Sequence, residues 1–282
     1  PSSAASDVYK RQVSDLVSGD PFRVRLAASV VSRMGSVARG TIVSELLHRA
    51  ERADMVGKAK IAHALWAVAP SIPADLLPEV QGFLEGLFSA EEPEAASQAV
   101  RAAARICAAL DPEASSRLES KILSLKEERY EVSVRAAVAA GLAELGENIA
   151  PHRAERAIAA LLSLTQDPEP VVRREAVRGL SAVPPPGGKV RAKVADRLLE
   201  LMRDPDERVV AGAAGALVRL LPELDEGRRE LAAVSLIEAA LKAEGPLADS
   251  LLSALDGALP HMPPHQRRRA EQVLLARRER RG

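Results

Sequence analysis

The chain has 282 residues, of which 47% are hydrophobic and only 2% are aromatic, a composition that disfavours a β-rich fold. Its 39 Lys and Arg residues equal its 39 Asp and Glu residues, and zero net charge argues against a general nucleic-acid binder, which is usually basic. The single cysteine, Cys107, excludes an internal disulfide, and no apolar run approaches the roughly 18–20 residues of a transmembrane helix, so we expect a cytoplasmic protein without a membrane segment.

The first residues do not share the pattern of the rest of the chain. Pro1 is not a start residue, and residues 6–12 resemble a translated adapter sequence. We expect residues 1–12 to be a non-native or disordered leader, in which case a native N-terminus, with any signal peptide, is missing. We expect residues 13–282 to form a single repeat domain.

From residue 13 onward a short sequence motif recurs, which consists of Asp-Pro, a valine a few residues later and often an arginine. Residues 20–25, 167–173 and 204–209 carry it, and residues 130–135 carry it without the Asp-Pro. We take the valine of each copy, or the residue in its place, as the anchor of that copy. The clear anchors lie 38, 37 and 38 residues apart, at Val134, Val172, Val209 and Leu247. Stepping backwards predicts weaker anchors, with registers that can slip by several residues, near Ser97, Lys60 and Val24. Self-similarity at a period of roughly 20–50 residues is typical of a solenoid.

Each clear copy opens a helix with one apolar stripe. Val172, Ala176 and Leu180 lie at i, i+4 and i+8, the spacing of a helix with about 3.6 residues per turn. Seven positions after the anchors the residue is small, which lets a neighbouring helix approach closely: Gly141, Gly179, Ala216 and Ala254. Because Asp suits an N-cap and Pro the first helical position, the Asp-Pro pairs predict helix starts at Asp20, Asp111, Asp167 and Asp204.

A second apolar-periodic segment precedes three of these starts, most clearly over residues 157–164 and 194–202. The repeating unit is therefore helix, short turn, helix, with loops rich in Pro and Gly between units. Residues 184–188 fall in phase with the repeat and are predicted to be such a loop rather than a domain boundary. The Ala-, Leu-, Arg- and Glu-rich composition favours helix throughout, and no segment predicts a strand.

The Asp-Pro, Val-Arg, Ala and Leu pattern in a two-helix unit resembles the bacterial members of the HEAT-repeat family. The resemblance covers nearly the whole chain and is strongest over residues 134–146, 167–183 and 204–221. It implies an all-α, α-α superhelical solenoid of about seven helix-pair repeats, with the second helix of each pair on the concave side. The period of 37 or 38 residues is shorter than the ~40–47 residues of HEAT or armadillo units, so armadillo-like and generic α-solenoid variants stay open.

The resemblance also implies a ladder in which a turn Asp pairs with an Arg of the second helix. In this chain the pair maps onto Asp167 and Arg173. Arg25 and Arg135 match the Arg position, whereas Val210 stands there in a later unit and interrupts the ladder.

Several residues that could carry chemistry have a structural interpretation instead. Cys107 lies on a predicted helix without a neighbouring base, which favours a buried thiol over a nucleophile. His261 and His265 have metal-like spacing, but the prolines between them favour a solvated loop over a zinc site. Gly82 and Gly86 form a Gly-x-x-x-Gly pattern that we attribute to close helix packing.

Two basic groups and one aromatic residue are candidates for partner binding. The predicted C-terminal helix, residues 266–281, is rich in arginine and can hold phosphates or an acidic partner, although a polar solenoid cap explains it equally. Arg174 and Arg178 share a helix face turned away from Val172, which the resemblance places on the concave side. Trp66 lies on a second helix, either in the core or as an exposed anchor.

We therefore expect a non-catalytic scaffold or adaptor that binds a protein or peptide on its concave face, without cofactor or metal. The candidate contact residues are Arg174, Arg178, Trp66, Arg135 and Arg173. Nucleic-acid binding through the Arg-rich C-terminal helix and the Arg174/Arg178 pair is the alternative. A third hypothesis, a HEAT-type bilin lyase or a DNA-glycosylase-like enzyme, needs a cluster of polar and aromatic groups on one face, which the sequence does not display.

Overall fold

The computed structural model describes residues 3–127, 130–144, 146 and 151–279, and these residues form fifteen α-helices and no strand. In chain order the helices are α1 (Ser3–Leu16), α2 (Pro21–Ser32), α3 (Ser36–Arg52), α4 (Met55–Val68), α5 (Leu77–Gly86), α6 (Pro93–Ile106), α7 (Pro112–Ser124), α8 (Val132–Glu144), α9 (Pro151–Leu164), α10 (Pro170–Ala182), α11 (Gly188–Leu201), α12 (Glu207–Leu220), α13 (Glu226–Lys242), α14 (Gly245–Ala258) and α15 (Pro264–Glu279). Helix α1 begins inside the leader expected for residues 1–12.

The helices gather into two compact units, Pro1–Leu145 and Gly146–Gly282. In the first unit the even-numbered helices, α2 to α8, pack side by side in one layer, and the odd-numbered helices lie along its other side. The second unit repeats this arrangement, with α10, α12 and α14 in one layer and α9, α11, α13 and α15 in the other. The described helices thus confirm the predicted all-α solenoid of helix pairs, whereas the assignment of residues 13–282 to a single domain stays a prediction.

The buried positions of the second helices recur at the same offsets and correct the weaker anchors. In α10 the core positions lie four and eight residues after Val172, at Ala176 and Leu180. The same offsets reach Ile61 and Leu65 of α4 from Gly57, and Ala99 and Ala103 of α6 from Ala95, all of them buried. The anchors of these two helices are therefore Gly57 and Ala95 instead of Lys60 and Ser97. In α2 the same pattern moves the anchor from Val24 to Arg23.

Small residues seven positions after the anchors allow close helix contacts, as predicted. A Cβ added to Gly141 of α8 would lie 2.7 Å from the Cβ of Ala104 in α6, and one added to Gly179 of α10 would lie 2.5 Å from Leu161 in α9. The interpretation of Gly82 and Gly86 as a close-packing pair is wrong, because a Cβ added to either would meet no atom within 4 Å.

Two of the four Asp-Pro pairs start helices as predicted. Asp20 and Asp111 accept hydrogen bonds from backbone N–H groups in the first turns of α2 and α7, and Pro follows each at the first helical position. The other two pairs lie two residues too early. Asp167 and Asp204 each accept from the N–H two residues onward, at 2.9 Å, and thereby form a tight turn before α10 and α12. Residues 184–187 form a loop between α10 and α11, as expected.

Candidate functional site

Arg173 is a structural residue at the turn between repeats. Its Nε and Nη2 donate to the two carboxylate oxygens of Asp204 at 2.8 Å, and Nη1 donates to the carbonyls of Asp167 and Pro168. The ladder carboxylate for Arg173 is therefore Asp204 of the next repeat, and Asp167 contributes its carbonyl. This corrects the expected Asp167–Arg173 side-chain pair.

The bidentate contact shifts the pKa of Arg173 and the pKa of Asp204 so that the charged form of each is favoured. The hydrogen bonds to Asp204 raise the pKa of Arg173 above its ordinary value. Burial raises the pKa of Asp204, but the hydrogen bonds from Arg173 and from the Asp206 N–H outweigh it and hold this pKa below its ordinary value. Only 9% of Arg173 is exposed, and its guanidinium bonds within the fold, so its role as a partner contact stays a prediction.

The other arginines that match the ladder position differ in their surroundings. Arg135 is buried and donates to the carbonyl of Tyr130 at 2.5 Å, so its guanidinium too has a partner within the fold. Arg25 is exposed on α2. Val210 is buried, as suits an apolar residue at that position.

Arg174 and Arg178 lie on the side of α10 turned away from the buried Val172, and their place on a concave side stays a prediction. Between them stands Glu175, whose carboxylate is 2.7 Å from Arg178 Nη2 and 3.8 Å from Arg174 Nε. The pair therefore carries a smaller excess of positive charge than the two arginines alone imply.

Trp66 is the centre of a cluster that the sequence analysis did not find. Its Nε1 donates to both carboxylate oxygens of Glu144, at 2.9 and 2.8 Å, so a residue of α4 reaches across α6 to α8. The guanidinium carbons of Arg101 and Arg105 lie 5.0 and 4.7 Å from the centre of the indole ring, within the range of a cation–π contact. His63 stacks on the indole ring with centroids 5.4 Å apart.

Neighbouring helices hold this Trp66 cluster, which comprises His63, Trp66, Gln98, Arg101, Arg105 and Glu144, in place. Arg105 Nη1 donates to the carbonyl of Trp66 at 3.1 Å, and His63 Nδ1 lies 3.2 Å from Gln98 Oε1. Each member is half-buried. Trp66 is therefore neither a core residue nor a freely exposed anchor, and a cluster of polar and aromatic groups does lie on one face of the first unit.

A pocket of about 370 Å³ adjoins the cluster at His63 and Gln98. Its apolar walls include Leu16, Val56 and Ala59. Charged side chains stand at its edge: Lys60, Glu92 and Glu94. The pocket and the cluster together form a continuous surface on the exposed side of α4 and α6.

The C-terminal helix uses two of its arginines to bind carbonyl groups of the fold. Arg267 donates to Leu259 and Pro260, and Arg277 donates to the carbonyls at the end of α13, including that of Ala243 at 3.0 Å. Arginines at such a helix end satisfy carbonyls that have no partner within the helix. Arg268 and Arg269 are exposed.

The remaining candidates are placed as follows. Cys107 is buried, as expected. His261 lies in a short 3-10 turn, and His265, at the start of α15, is 2.9 Å from a carboxylate oxygen of Glu230. Within the described ranges, no group of three or more His, Cys, Asp or Glu side chains is arranged to hold a metal ion. Across the same residues, no helix combines the length and the apolar character needed to cross a bilayer.

The sequence matches the family model for HEAT repeats over residues 119–218 and 158–256. In structure, the karyopherin Kap121p bound to the SUMO protease Ulp1p aligns with 91% of this chain and 29% of its own, at 12% identity and a TM-score of 0.70. Kap95p, from a structure with RanGDP, aligns with 94% of this chain and 39% of its own, at 15% identity and a TM-score of 0.66. Importin beta aligns with 92% of this chain and 36% of its own, at 16% identity and a TM-score of 0.65.

This chain therefore spans about a third of the length of these karyopherins, and a likeness at such low identity shows a common fold. None of the curated proteins matches the sequence.

Proposed function

Because the chain belongs to the HEAT-repeat family, we propose that it is a non-catalytic scaffold that binds a protein or peptide partner on the exposed face of its second helices. Stacked repeats present a long surface on which contacts from several helices add up. Kap121p, which has a similar fold, is bound to a protein, the protease Ulp1p. A shared fold is a weak basis for a function, so the proposal rests mainly on the surface itself.

The Trp66 cluster is the observation that carries the proposal. Tryptophan and arginine dominate the binding energy of protein interfaces, and here Trp66, Arg101 and Arg105 stand together on one exposed face. Their contacts with Glu144 and with backbone fix their orientation before a partner arrives, which lowers the entropy lost on binding. A pocket beside them provides a place for a partner side chain.

We further propose Arg174 and Arg178 as contact residues of the second unit, on the corresponding face of α10. Both side chains are accessible, and both lie within ion-pair distance of Glu175. Two arginines that the nucleic-acid alternative would use, Arg267 and Arg277, already donate to backbone carbonyls, which favours a protein partner.

Site-specific photo-crosslinking in a lysate of the source organism tests the proposal. A benzoylphenylalanine is placed on the second helices, at Lys60 or Ser253, and in matched variants on the first helices, at Arg117 or Glu238. All four positions are exposed. We expect defined protein adducts from the second-helix positions and few from the first-helix positions. Adducts of equal yield from both layers, or from the first helices alone, would refute a binding role for this face.

A further inference from the structure

One stripe of α6, beside the Trp66 cluster, is acidic at one end and basic at the other. Glu94, Gln98, Arg101 and Arg105 lie at i, i+4, i+7 and i+11, the spacing of a single helix face. The acidic residue stands at the start of α6 and the two basic residues stand near its end, as the helix dipole favours. A partner therefore meets negative charge at one end of the stripe and positive charge at the other.

At the basic end of the stripe, two guanidiniums, those of Arg101 and Arg105, share the neighbourhood of one carboxylate, that of Glu144. Both oxygens of Glu144 already accept from Trp66 Nε1, and Arg101 Nη2 lies 3.8 Å from Glu144, close enough for an ion pair but too far for a hydrogen bond. In the described part of the chain, Arg101 Nε is buried and has no hydrogen-bond partner. Two guanidiniums beside one carboxylate leave a net positive charge with N–H groups to donate, which suits a carboxylate ligand.

The pocket lies at the acidic end of the stripe, where Glu94 and Gln98 line it, and Arg101 follows on the next turn of α6. Its volume of about 370 Å³ accommodates an aliphatic or aromatic side chain. Glu92 and Glu94 line the pocket with a single cation, Lys60, so this end of the stripe favours an acidic group less than the end with Arg101 and Arg105 does.

We propose that the partner of this face is an acidic peptide segment, with a carboxylate side chain on Arg101 and Arg105 and a nearby apolar side chain in the pocket. The assignment rests on the proposed scaffold function and specifies its partner. A nucleic acid suits the surface less well, because Arg101, Arg105 and His63 already flank the indole on which a base would stack.

Selection from a phage library of random 12-residue peptides on the full chain provides the probe. Synthetic versions of the enriched peptides are then titrated against the chain, with labelled-peptide anisotropy and the emission of Trp66, the single tryptophan, as two readouts. We expect enriched peptides to combine acidic and apolar residues. Replacing Asp by Asn and Glu by Gln in these peptides should weaken binding about tenfold or more.

Matched protein variants locate the binding. Arg101→Ala/Arg105→Ala should weaken peptide binding about tenfold or more, whereas Arg117→Ala/Lys121→Ala, an exposed pair with the same i,i+4 spacing on the first helix α7, should change affinity less than about twofold. Arg101→Lys/Arg105→Lys should recover part of the loss. Glu144→Gln keeps an acceptor for Trp66 Nε1 and removes the competing charge, so it should tighten binding.

Three results overturn the acidic-peptide assignment. The first is a selection that enriches no peptides, or only peptides without acidic residues. The second is undiminished peptide binding to a well-folded Arg101→Ala/Arg105→Ala variant. The third is a single-stranded RNA 12-mer that binds more tightly than the peptides and loses its binding in the same variant. The scaffold proposal is judged separately by the crosslinking yields, so the two can fail independently.

Discussion

The second helices of the two units present different surfaces. On α4, α6 and α8 of the first unit, long side chains bond to one another across the exposed face, with Trp66 and Glu144 as the longest link. On α12 and α14 of the second unit, the positions equivalent to Gln98 and Arg101 carry small residues: Gly212, Gly215, Ser250 and Ser253. The ion pair that joins two repeats there, Arg173 with Asp204, lies at the turn instead.

This difference separates two tasks that arginines perform in the same fold. At the turn of the second unit, a buried arginine with four hydrogen bonds holds neighbouring repeats together. On the face of the first unit, two half-buried arginines lie around an indole ring and keep part of their surface exposed. Changes at the turn should therefore affect stability, and changes on the face should affect binding.

Asp204→Ala gives the largest expected loss of stability. Removing the carboxylate leaves the Arg173 guanidinium without its charge partner in a buried position, which costs about 3–5 kcal/mol of unfolding free energy. The control is Asp196→Ala, which breaks the exposed pair with Arg228 and should lower stability far less, because exposed ion pairs contribute little. Urea unfolding followed by circular dichroism measures both, and equal losses would contradict a special role for the turn pair.

The same pair predicts a dependence of stability on pH. Because the pKa of Asp204 is lower in the folded chain than its ordinary 3.8, its charge stabilises the fold fully above that value and loses this effect as pH falls through the folded pKa. The difference in unfolding free energy between the wild type and Asp204→Asn should be constant from neutral pH to about pH 5 and shrink below about pH 4. A difference that is independent of pH down to about pH 2 would show that the charge of Asp204 is not what matters.

Gly141→Ala tests the close contact between α6 and α8 in the first unit. The new Cβ would lie 2.7 Å from that of Ala104, which cannot rotate away, so we expect a loss of about 1–3 kcal/mol. Gly215→Ala is the matched control, because a Cβ there meets no atom within 4 Å; the higher helix propensity of alanine should stabilise the chain by about 0.5–1 kcal/mol. Thermal unfolding should show shifts of opposite sign, and stabilisation by both changes would contradict the packing argument.

Trp66→Phe should have the smallest effect on stability. The ring keeps its contacts with the arginines but loses the hydrogen bond to Glu144, which is partly exposed, and the expected loss is about 1 kcal/mol. A loss above about 3 kcal/mol in urea unfolding would place the cluster among the elements that hold the fold together, against its proposed role in binding.

The sequence predicts the repeat well and the cluster poorly, for one physical reason. The clear anchors such as Val172 expose a period that local spacing can reveal, and the small residue at Gly141 follows from it. Trp66 and Glu144 are 78 residues apart, so their contact depends on the register of every helix between them. With Lys60 and Ser97 as anchors that register is wrong.

The corrected anchors contain a signal that could have revealed the cluster. Counted from Gly57 and Ala95, Trp66 and Arg105 fall at offsets nine and ten, and Glu144 falls at offset ten from Val134. Residues at equal offsets in stacked repeats are neighbours, so an aromatic, a basic and an acidic residue in one row predict a contact. The sequence analysis also missed the pair of Arg173 with Asp204, because Asp204 belongs to the repeat that follows that of Arg173.

Amide hydrogen exchange of the intact chain, with and without the partner captured through Lys60, tests the central claim most directly. If the partner binds the exposed face of the second helices, exchange should slow in α4 and α6 and stay unchanged in α5 and α7. Slowing confined to the first helices α5 and α7 would contradict the proposed binding face.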